Sequence, residues 1–246
     1  MTQFLASVRT PVESQQAIAA GADIIDFKDP GKGALGAVAA DVICGCLTVV
    51  AGRKTTSATV GDVPMIPTAV AEAVSATAKL GVDIVKLGIT SGGSLQACFE
   101  ALCKTRGAFN ARQGLVLVFF ADAMADVDPI AAARICGARG VMLDTAHKAQ
   151  GSLLDVMSLP DIGNFVHQAK DAGLEVGLAG SLRDIHVSPL MSLQPDVMGF
   201  RGALCHKGVR EEGLDPAACA KIGALITANR PDGAEPASAV LTTAVC

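Results

Sequence analysis

The amino-acid sequence predicts a single-domain (β/α)8 barrel, the TIM-barrel fold of the α/β class. Apolar strand segments alternate with helical segments eight times along 246 residues, a length that suits one large domain of this type. A recurring unit supports this fold: a helix ends, a glycine follows, and an apolar strand begins one or two residues later, at Gly21, Gly81, Gly137 and Gly173. No GxGxxG sequence follows the first strand, which counts against a dinucleotide-binding sheet.

The elements follow in order along the chain. Predicted strands cover residues 4–8, 23–30, 55–60, 83–88, 115–120, 140–143, 175–179 and 197–200. Thr10, Pro11 and Glu13 predict a capping box that opens the first helix. Further helix starts are predicted at Ser94, at the Asp-Pro pairs 128–129 and 215–216, and at Ser181 with Asp184. The helical segments between strands include residues 15–20, 37–47, 69–80, 95–106 and 162–172.

Composition excludes several classes of function. A net charge of −4 and the absence of Trp and Tyr argue against a nucleic-acid partner. The longest apolar run, residues 115–121, is too short to span a bilayer. Arg9 and Glu13 interrupt what would be the core of a signal peptide. We therefore expect a cytoplasmic protein with no nucleic-acid or membrane partner, and we also expect a homo-oligomer. Each chain is predicted to consist of a barrel at residues 1–228 and a Pro/Ala-rich tail at 229–246.

Neither the cysteines nor the carboxylates indicate a metal site. The eight cysteines are scattered without a CxxC pair, and Cys44 and Cys46 are too close for ordinary zinc spacing. Reduced, buried thiols are the expectation. Asp122 and Asp144 leave a Mg²⁺ site open as an alternative, but the lysines between them would repel a divalent ion. We therefore predict no metal and no other cofactor, with His147 as a solvated side chain.

Acids and amines occur together at the predicted strand ends. Side chains alternate along a strand, so Asp26 and Lys28 share one face of the second strand. Lys86 lies near the end of the fourth strand, and Asp144 follows the sixth and leads to Lys148. The carboxyl ends of barrel strands gather at the face where catalytic groups sit. These five residues are the predicted catalytic site.

The lysines favour chemistry on a carbonyl group. A neutral amine can form a Schiff base with a carbonyl substrate, and burial or a neighbouring cation lowers a lysine pKa. Lys28 and Lys86 are predicted at the same height, so each could lower the pKa of the other. Asp26 would act on Lys28 in the opposite direction and could shuttle protons. The alternative is an internal layer of ion pairs that closes the barrel.

A phosphate site is predicted where the seventh and eighth strands end. Loops at this place in barrels commonly bind phosphate through backbone N–H groups and a helix N-terminus. The candidate residues are Gly180, Ser181, Arg201 and Gly202, with the hydroxyls of Ser57 and Thr59 on the same rim. The alternative is that both glycines belong to plain turns that lead into helices.

Six motifs occur in a fixed order along the chain. They are GADIIDFKDP at 21–30, SATVGDVP at 57–64, DIVK at 83–86, DTAHK at 144–148, LAGS at 178–181 and FRGA at 200–203. Together they resemble the (5-formylfuran-3-yl)methyl phosphate synthases, also called 4-(hydroxymethyl)-2-furancarboxaldehyde-phosphate synthases. The resemblance reaches residue 226 and leaves out the tail.

The resemblance implies a lyase that condenses two molecules of glyceraldehyde 3-phosphate into a furan aldehyde phosphate, an early precursor of methanofuran in one-carbon metabolism. It implies Lys28 as the Schiff-base lysine and Lys86 as the proton-transferring base, with Asp26, Asp144 and Lys148 as further active-site residues. Two other functions fit the same residues. One is a Schiff-base aldolase or isomerase acting on another sugar phosphate, and the other is a non-catalytic barrel that binds a phosphorylated ligand.

Overall fold

Parallel strands close into a barrel, as the sequence predicts. The computed structural model describes residues 1–230 except for the side chain of Arg106. Residues 231–246 of the predicted tail therefore lie outside the described residues. The strands are β1 (Gln3–Val8), β2 (Ile24–Phe27), β3 (Thr55–Thr59), β4 (Ile84–Ile89), β5 (Gly114–Phe120), β6 (Gly140–Asp144), β7 (Glu175–Leu178) and β8 (Val197–Phe200). Each pairs with the next, and β8 closes on β1.

Helices follow the strands on the outside of the barrel. They are α1 (Pro11–Ala19), α2 (Ala40–Val50), α3 (Pro67–Lys79), α4 (Leu95–Lys104), α5 (Pro129–Cys136), α6 (Leu153–Val156), α7 (Leu159–Asp171), α8 (Val187–Met191) and α9 (Pro216–Ala228). Half of the predicted capping box is present: the Thr10 hydroxyl accepts a hydrogen bond from the N–H of Glu13 at 3.1 Å, but the Glu13 carboxylate accepts from the N–H of Arg9 rather than from that of Thr10. Ser94, Asp128 and Asp215 cap α4, α5 and α9 in the same way.

Several boundaries differ from the prediction, among them the end of β2, which lies at Phe27 rather than at 30. Helix α2 begins at Ala40 rather than at 37, and α4 ends in a 3-10 turn, Thr105–Ala108. The predicted helix start at Ser181 is wrong. Ser181 has a φ of 47°, in the left-handed region, whereas an N-cap residue has extended backbone. A 3-10 turn at Asp184–His186 begins after Arg183 instead and leads into the short α8.

The repeated turn from helix into strand has a clear structural basis. Its glycines have positive φ values: 84° at Gly21, 89° at Gly81, 61° at Gly137 and 73° at Gly173. In two of the repeats, the acid that follows ties neighbouring strands together. Asp23 Oδ2 accepts from the N–H of Phe4 at 2.9 Å, and Asp83 Oδ2 accepts from the N–H of Thr56 at 2.8 Å. These contacts stabilise the amino-terminal edge of the barrel, opposite the edge where the predicted catalytic residues lie.

Apolar packing fills only part of the barrel interior. Leu35, from the loop after β2, packs inside the barrel with Val118, Phe120 and Met142. Gly88 makes this possible, because a Cβ there would lie 2.6 Å from Leu35 Cδ1 and 3.1 Å from Phe120 Cζ. The predicted catalytic residues line the remaining part of the carboxyl-terminal mouth.

The cysteines within residues 1–230 form no disulfide bonds. The seven cysteines in this range are free thiols, and five of them are buried. Burial raises the pKa of Cys136 to about 12, which keeps that thiol protonated. Within the same range, no helix has the length and apolar character needed to cross a membrane.

Candidate active site

Four predicted side chains from three strands meet at the carboxyl end of the barrel. The strand register places Lys28 and Lys86 at the same level, as predicted. Asp144 approaches Lys28 from β6, and Asp26 lies one inward-facing position below Lys28. All four are buried, with exposures of 0% for Asp26, 3% for Asp144, 4% for Lys86 and 6% for Lys28.

These groups form two separate ion-pair systems. Lys86 Nζ lies 2.6 Å from Asp26 Oδ1. Lys28 Nζ lies 3.0 Å from Asp144 Oδ2, and the other oxygen of Asp144 lies 2.6 Å from Lys148 Nζ. Lys28 therefore pairs with Asp144 rather than with Asp26 of its own strand, and Asp26 pairs with Lys86 instead. Side chains two positions apart on a strand point the same way and contact facing strands rather than each other.

Two serines hold the Asp26 carboxylate. Ser7 Oγ donates to Oδ2 at 2.9 Å, and Ser57 Oγ donates to Oδ1 at 2.6 Å. These bonds hold the carboxylate in place, with Oδ1 directed towards Lys86. Ser57, predicted on the phosphate rim, is fully buried against Asp26. Ser7 was not predicted, although a polar residue inside the apolar first strand is a signal that could have revealed it.

Burial and a neighbouring positive charge lower the pKa of both Lys86 and Lys148. Burial lowers the pKa of Lys86, and the charge of Lys28 lowers it further against the opposing effect of Asp26. Burial is also the main cause that lowers the pKa of Lys148, followed by the charge of Lys28 against that of Asp144. A lowered pKa increases the neutral fraction of an amine, which is the form that accepts a proton.

Asp144 remains ionised between its two lysines. Burial alone would raise the pKa of Asp144. The charges of Lys28 and Lys148, and hydrogen bonds from Lys148 and the backbone N–H of Thr145, outweigh burial and hold the pKa well below its usual range. The carboxylate can therefore orient both amines and stabilise a positive charge that forms on either of them.

A cavity of about 660 Å³ opens above these groups. That volume lies within the range of roughly 300–1,000 Å³ found for small-molecule sites. The strand ends form its floor, and the loops after β6, β7 and β8 form its wall, where the predicted Gly180, Ser181 and Gly202 lie. A Cβ on Gly180 would be 3.0 Å from Thr145 Cγ2, so glycine lets this turn approach the loop after β6.

Arg201, predicted as a phosphate ligand, has its side chain committed to the fold. Its guanidinium donates to both oxygens of Glu13, at 2.6 and 3.2 Å. It also donates to the backbone carbonyls of Ser7, Arg210 and Glu212. These bonds use every N–H that an arginine side chain has, so none remains for a ligand.

Thr59 also has a different position from the one predicted. Its hydroxyl donates to the carbonyl of Gly36 at 3.1 Å and lies 3.4 Å from the carbonyl of Phe27. Thr59 is 1% exposed and does not belong to the cavity wall. The residue therefore ties the loop after β2 to β3.

The buried pair of Glu13 and Arg201 predicts an effect on stability. Glu13→Gln keeps the size of the side chain but leaves a buried guanidinium without its counter-charge, which typically costs about 3–5 kcal/mol. Glu175→Gln is the matched control, because Glu175 pairs with Arg139 at 2.8 Å on the surface, where such pairs contribute about 0–1 kcal/mol. Urea unfolding measures both free energies. Equal losses in the two variants would contradict this account of Arg201.

Asp122 holds the loop that leads to Lys148. Its carboxylate accepts from the backbone N–H groups of Ala146 at 2.7 Å and His147 at 2.6 Å, and lies 3.1 Å from His147 Nδ1. Burial raises the pKa of Asp122, but these bonds outweigh it and lower the pKa overall. His147 is exposed, as predicted. Across residues 1–230, His, Cys, Asp and Glu side chains form no group of three that could hold a metal ion.

Several charged residues of the cavity wall were not predicted. They are Asp155 in α6, Arg183 and Asp184 after β7, Arg210 after β8, and Lys221 in α9. Lys221 Nζ lies 2.5 Å from Asp184 Oδ2. These residues lie on loops and helix faces outside the strand ends, so the alternation of strand side chains carries no signal for them.

Comparison with known proteins shows the family of the chain. The model of the 4-HFC-P synthase family matches residues 4–223. A (5-formylfuran-3-yl)methyl phosphate synthase of Methanopyrus kandleri is 37% identical over 209 residues, which cover 82% of this chain and 88% of that one. Its counterpart in Methanocaldococcus jannaschii is 35% identical over 209 residues, with 82% and 89% coverage.

Solved structures support the fold. The phosphoribosyl anthranilate isomerase of Thermotoga maritima superposes with a TM-score of 0.64, covering 93% of this chain and 100% of that one at 12% identity. That identity supports the barrel architecture alone. The family match spans all eight strands and the five predicted catalytic residues. The chain therefore belongs to the 4-HFC-P synthase family.

Proposed function

We propose that this protein condenses two molecules of glyceraldehyde 3-phosphate into (5-formylfuran-3-yl)methyl phosphate through an imine on Lys28. Membership of the family supports a synthase role, because relatives bear the name of that activity. One observation carries the residue roles. Two buried amines, Lys28 and Lys86, lie on the floor of one cavity, and each is held by a different carboxylate.

Lys28 is assigned to imine formation. Its amine adds to the aldehyde carbon of the first triose, and the carbonyl oxygen leaves as water. The iminium that results faces the Asp144 carboxylate, which stabilises the positive charge. Lys148, on the other oxygen of Asp144, can donate the proton that the departing water needs.

Lys86 is assigned to proton removal. The iminium acidifies the C–H bond of the adjacent carbon, and the neutral amine of Lys86 takes that proton. Asp26, 2.6 Å from Lys86 Nζ, can receive the proton from it. The electron pair released at carbon then expels phosphate from the neighbouring carbon by β-elimination.

The second triose completes the product. The product carries its phosphomethyl group at position 3 of the furan, so the second triose reacts at its central carbon, as the ketone isomer formed from the aldehyde by proton transfer. The carbon nucleophile on Lys28 adds to that ketone carbon. Hydrolysis of the imine, ring closure through the terminal hydroxyl and loss of two waters then give the furan ring.

Two trioses yield one furan aldehyde phosphate, one inorganic phosphate and two waters. Hydrogen and oxygen balance without an oxidant or reductant, so the proposed reaction uses no redox cofactor. We also propose that the enzyme is a cytoplasmic homo-oligomer and that its partner is a small-molecule substrate.

The backbone near Gly180, Ser181 and Gly202 is proposed to bind substrate phosphate. All three line the cavity wall above the amines. Gly180 and Ser181 both have positive φ, so this segment is a tight turn rather than the start of a helix. Any phosphate contact there therefore depends on N–H groups of the turn rather than on a helix N-terminus.

The roles assigned to Lys86 and Asp26 predict the pH dependence. Protonated Lys86 is inactive as a base, so kcat/KM should rise with pH. Because burial lowers the pKa of Lys86 from its ordinary 10.5, the rise should level off below pH 10.5. Asp26→Asn removes the charge that raises this pKa, so the profile should move to lower pH. A midpoint at 10.5 or above, or a shift in the other direction, would contradict the role of Lys86.

Incubation with glyceraldehyde 3-phosphate alone tests the proposed reaction. Mass spectrometry should detect the furan aldehyde phosphate, and a colorimetric assay should find one inorganic phosphate released for every two trioses consumed. A sugar-phosphate product without phosphate release would instead indicate an aldolase or isomerase. Binding without turnover would indicate a non-catalytic barrel.

A further inference from the structure

The cavity wall is basic although the chain carries a net charge of −4. Within residues 1–230, seven basic and four acidic side chains line the cavity. The basic residues are Lys28, Lys86, Lys148, Arg183, Arg201, Arg210 and Lys221, and the acidic residues are Asp26, Asp144, Asp155 and Asp184. A concentration of one charge sign in a cleft attracts ligands of the opposite charge.

Five of the seven basic residues already pair with carboxylates inside the protein. The guanidinium groups of Arg183 and Arg210 are different, because neither has an ion-pair partner or a hydrogen-bond acceptor within residues 1–230. The carboxylate next to Arg183 along the chain, Asp184, is bound by Lys221 at 2.5 Å. Asp155 accepts from the backbone and the hydroxyl of Ser152, both at 2.7 Å.

The two arginines enter the cavity from different loops. Arg183 lies two residues after Ser181, on the turn that follows β7. Arg210 lies on the loop after β8, and its backbone carbonyl accepts from Arg201 Nε at 2.9 Å. The buried pair of Arg201 and Glu13 therefore anchors the loop that carries Arg210. Arg210 is also close enough to Lys148 for its charge to lower the pKa of that amine.

We propose, on the basis of the function proposed above, that Arg183 and Arg210 bind the phosphate groups of the two substrates, and that Arg201 does not. Guanidinium groups match phosphate oxygens with pairs of parallel hydrogen bonds. Each triose brings one phosphate to the cavity, the first before its elimination and the second in the addition that follows. Two guanidinium groups that have no protein partner within residues 1–230 line that cavity. Arg201 positions Arg210 but has no N–H left for a ligand.

Binding of inorganic phosphate tests this assignment without requiring imine chemistry. The variants are Arg183→Gln and Arg210→Gln, with Arg112→Gln, an exposed arginine at the opposite end of the barrel, as the control. Calorimetric titration should show each cavity variant weakened by about 10- to 100-fold, the usual effect of losing a hydrogen bond to a charged group. The control should bind phosphate as the wild type does. Unchanged affinity in both cavity variants would overturn the proposal.

A second readout separates phosphate recognition from general damage to the site. Borohydride trapping is measured with glyceraldehyde 3-phosphate and with glyceraldehyde, which lacks the phosphate. The half-saturating concentration should rise in the cavity variants for the phosphorylated aldehyde alone, and an equal rise for both aldehydes would overturn the assignment. Failure of the proposed function would give a different result. Phosphate binding would still depend on both arginines, but the wild-type protein would form no furan product.

Discussion

Lys28→Ala should abolish formation of the furan product and of any borohydride-stable adduct. Without this amine no imine forms, so neither proton removal nor phosphate elimination can follow. Loss of a covalent nucleophile typically lowers the rate by on the order of 10⁴-fold or more. The variant should still fold, because Asp144 keeps Lys148 as a partner at 2.6 Å. Product and phosphate are assayed together with the circular dichroism spectrum.

Lys32→Ala is the matched control for that experiment. Lys32 lies on the same loop, four residues later, with 59% of its side chain exposed, and contacts Asp29 at 3.5 Å. It is outside the cavity wall, so activity should equal that of the wild type. A Lys28→Ala protein that still traps substrate and forms product would remove Lys28 from the mechanism.

Lys86→Gln should fail at a later step. Lys28 can still capture a triose, but the adduct cannot lose its proton efficiently, and a missing general base costs about 10²- to 10⁴-fold in rate. Capture itself depends on Lys28 and on its contact with Asp144 at 3.0 Å, which the substitution leaves in place. The base effect should therefore dominate. Borohydride trapping should persist while almost no furan aldehyde or free phosphate forms.

Glutamine is preferred to alanine at this position because of Asp26. The amide can donate to the buried carboxylate that Lys86 normally contacts at 2.6 Å. Alanine would leave that carboxylate with only the hydroxyls of Ser7 and Ser57, which are 2.9 and 2.6 Å away. A folded Lys86→Gln protein that traps no substrate would make Lys86 the better candidate for the Schiff base.

Local sequence signals predicted the fold and the position of the candidate catalytic residues at one end of the barrel. Gly21 and Gly81 are each followed two residues later by an aspartate, and a strand begins directly after it. The backbone and the hydrogen bonds of such a turn depend on few residues. Alternation along β2 correctly placed Asp26 and Lys28 on the inward face. Such signals need only the geometry of one strand or one turn, which the sequence contains.

The partners of the charged groups could not be predicted in the same way. Whether Lys28 contacts Asp26 or Asp144 depends on how strands on opposite sides of the barrel stagger. Arg201 and Glu13 are 188 positions apart, and nothing near either residue indicates their contact. The phosphate role of Arg201 was inferred from a loop position alone, and the structure places its side chain against Glu13 instead.

Mapping the reduced adduct on the wild-type enzyme tests the assignment of imine formation to Lys28 most directly. The protein is incubated with glyceraldehyde 3-phosphate and borohydride, digested, and analysed by peptide mass spectrometry. We expect a triose-derived mass increase on Lys28, with Lys86 and Lys148 unmodified. A modification on Lys86 or Lys148, with Lys28 unmodified, would contradict it.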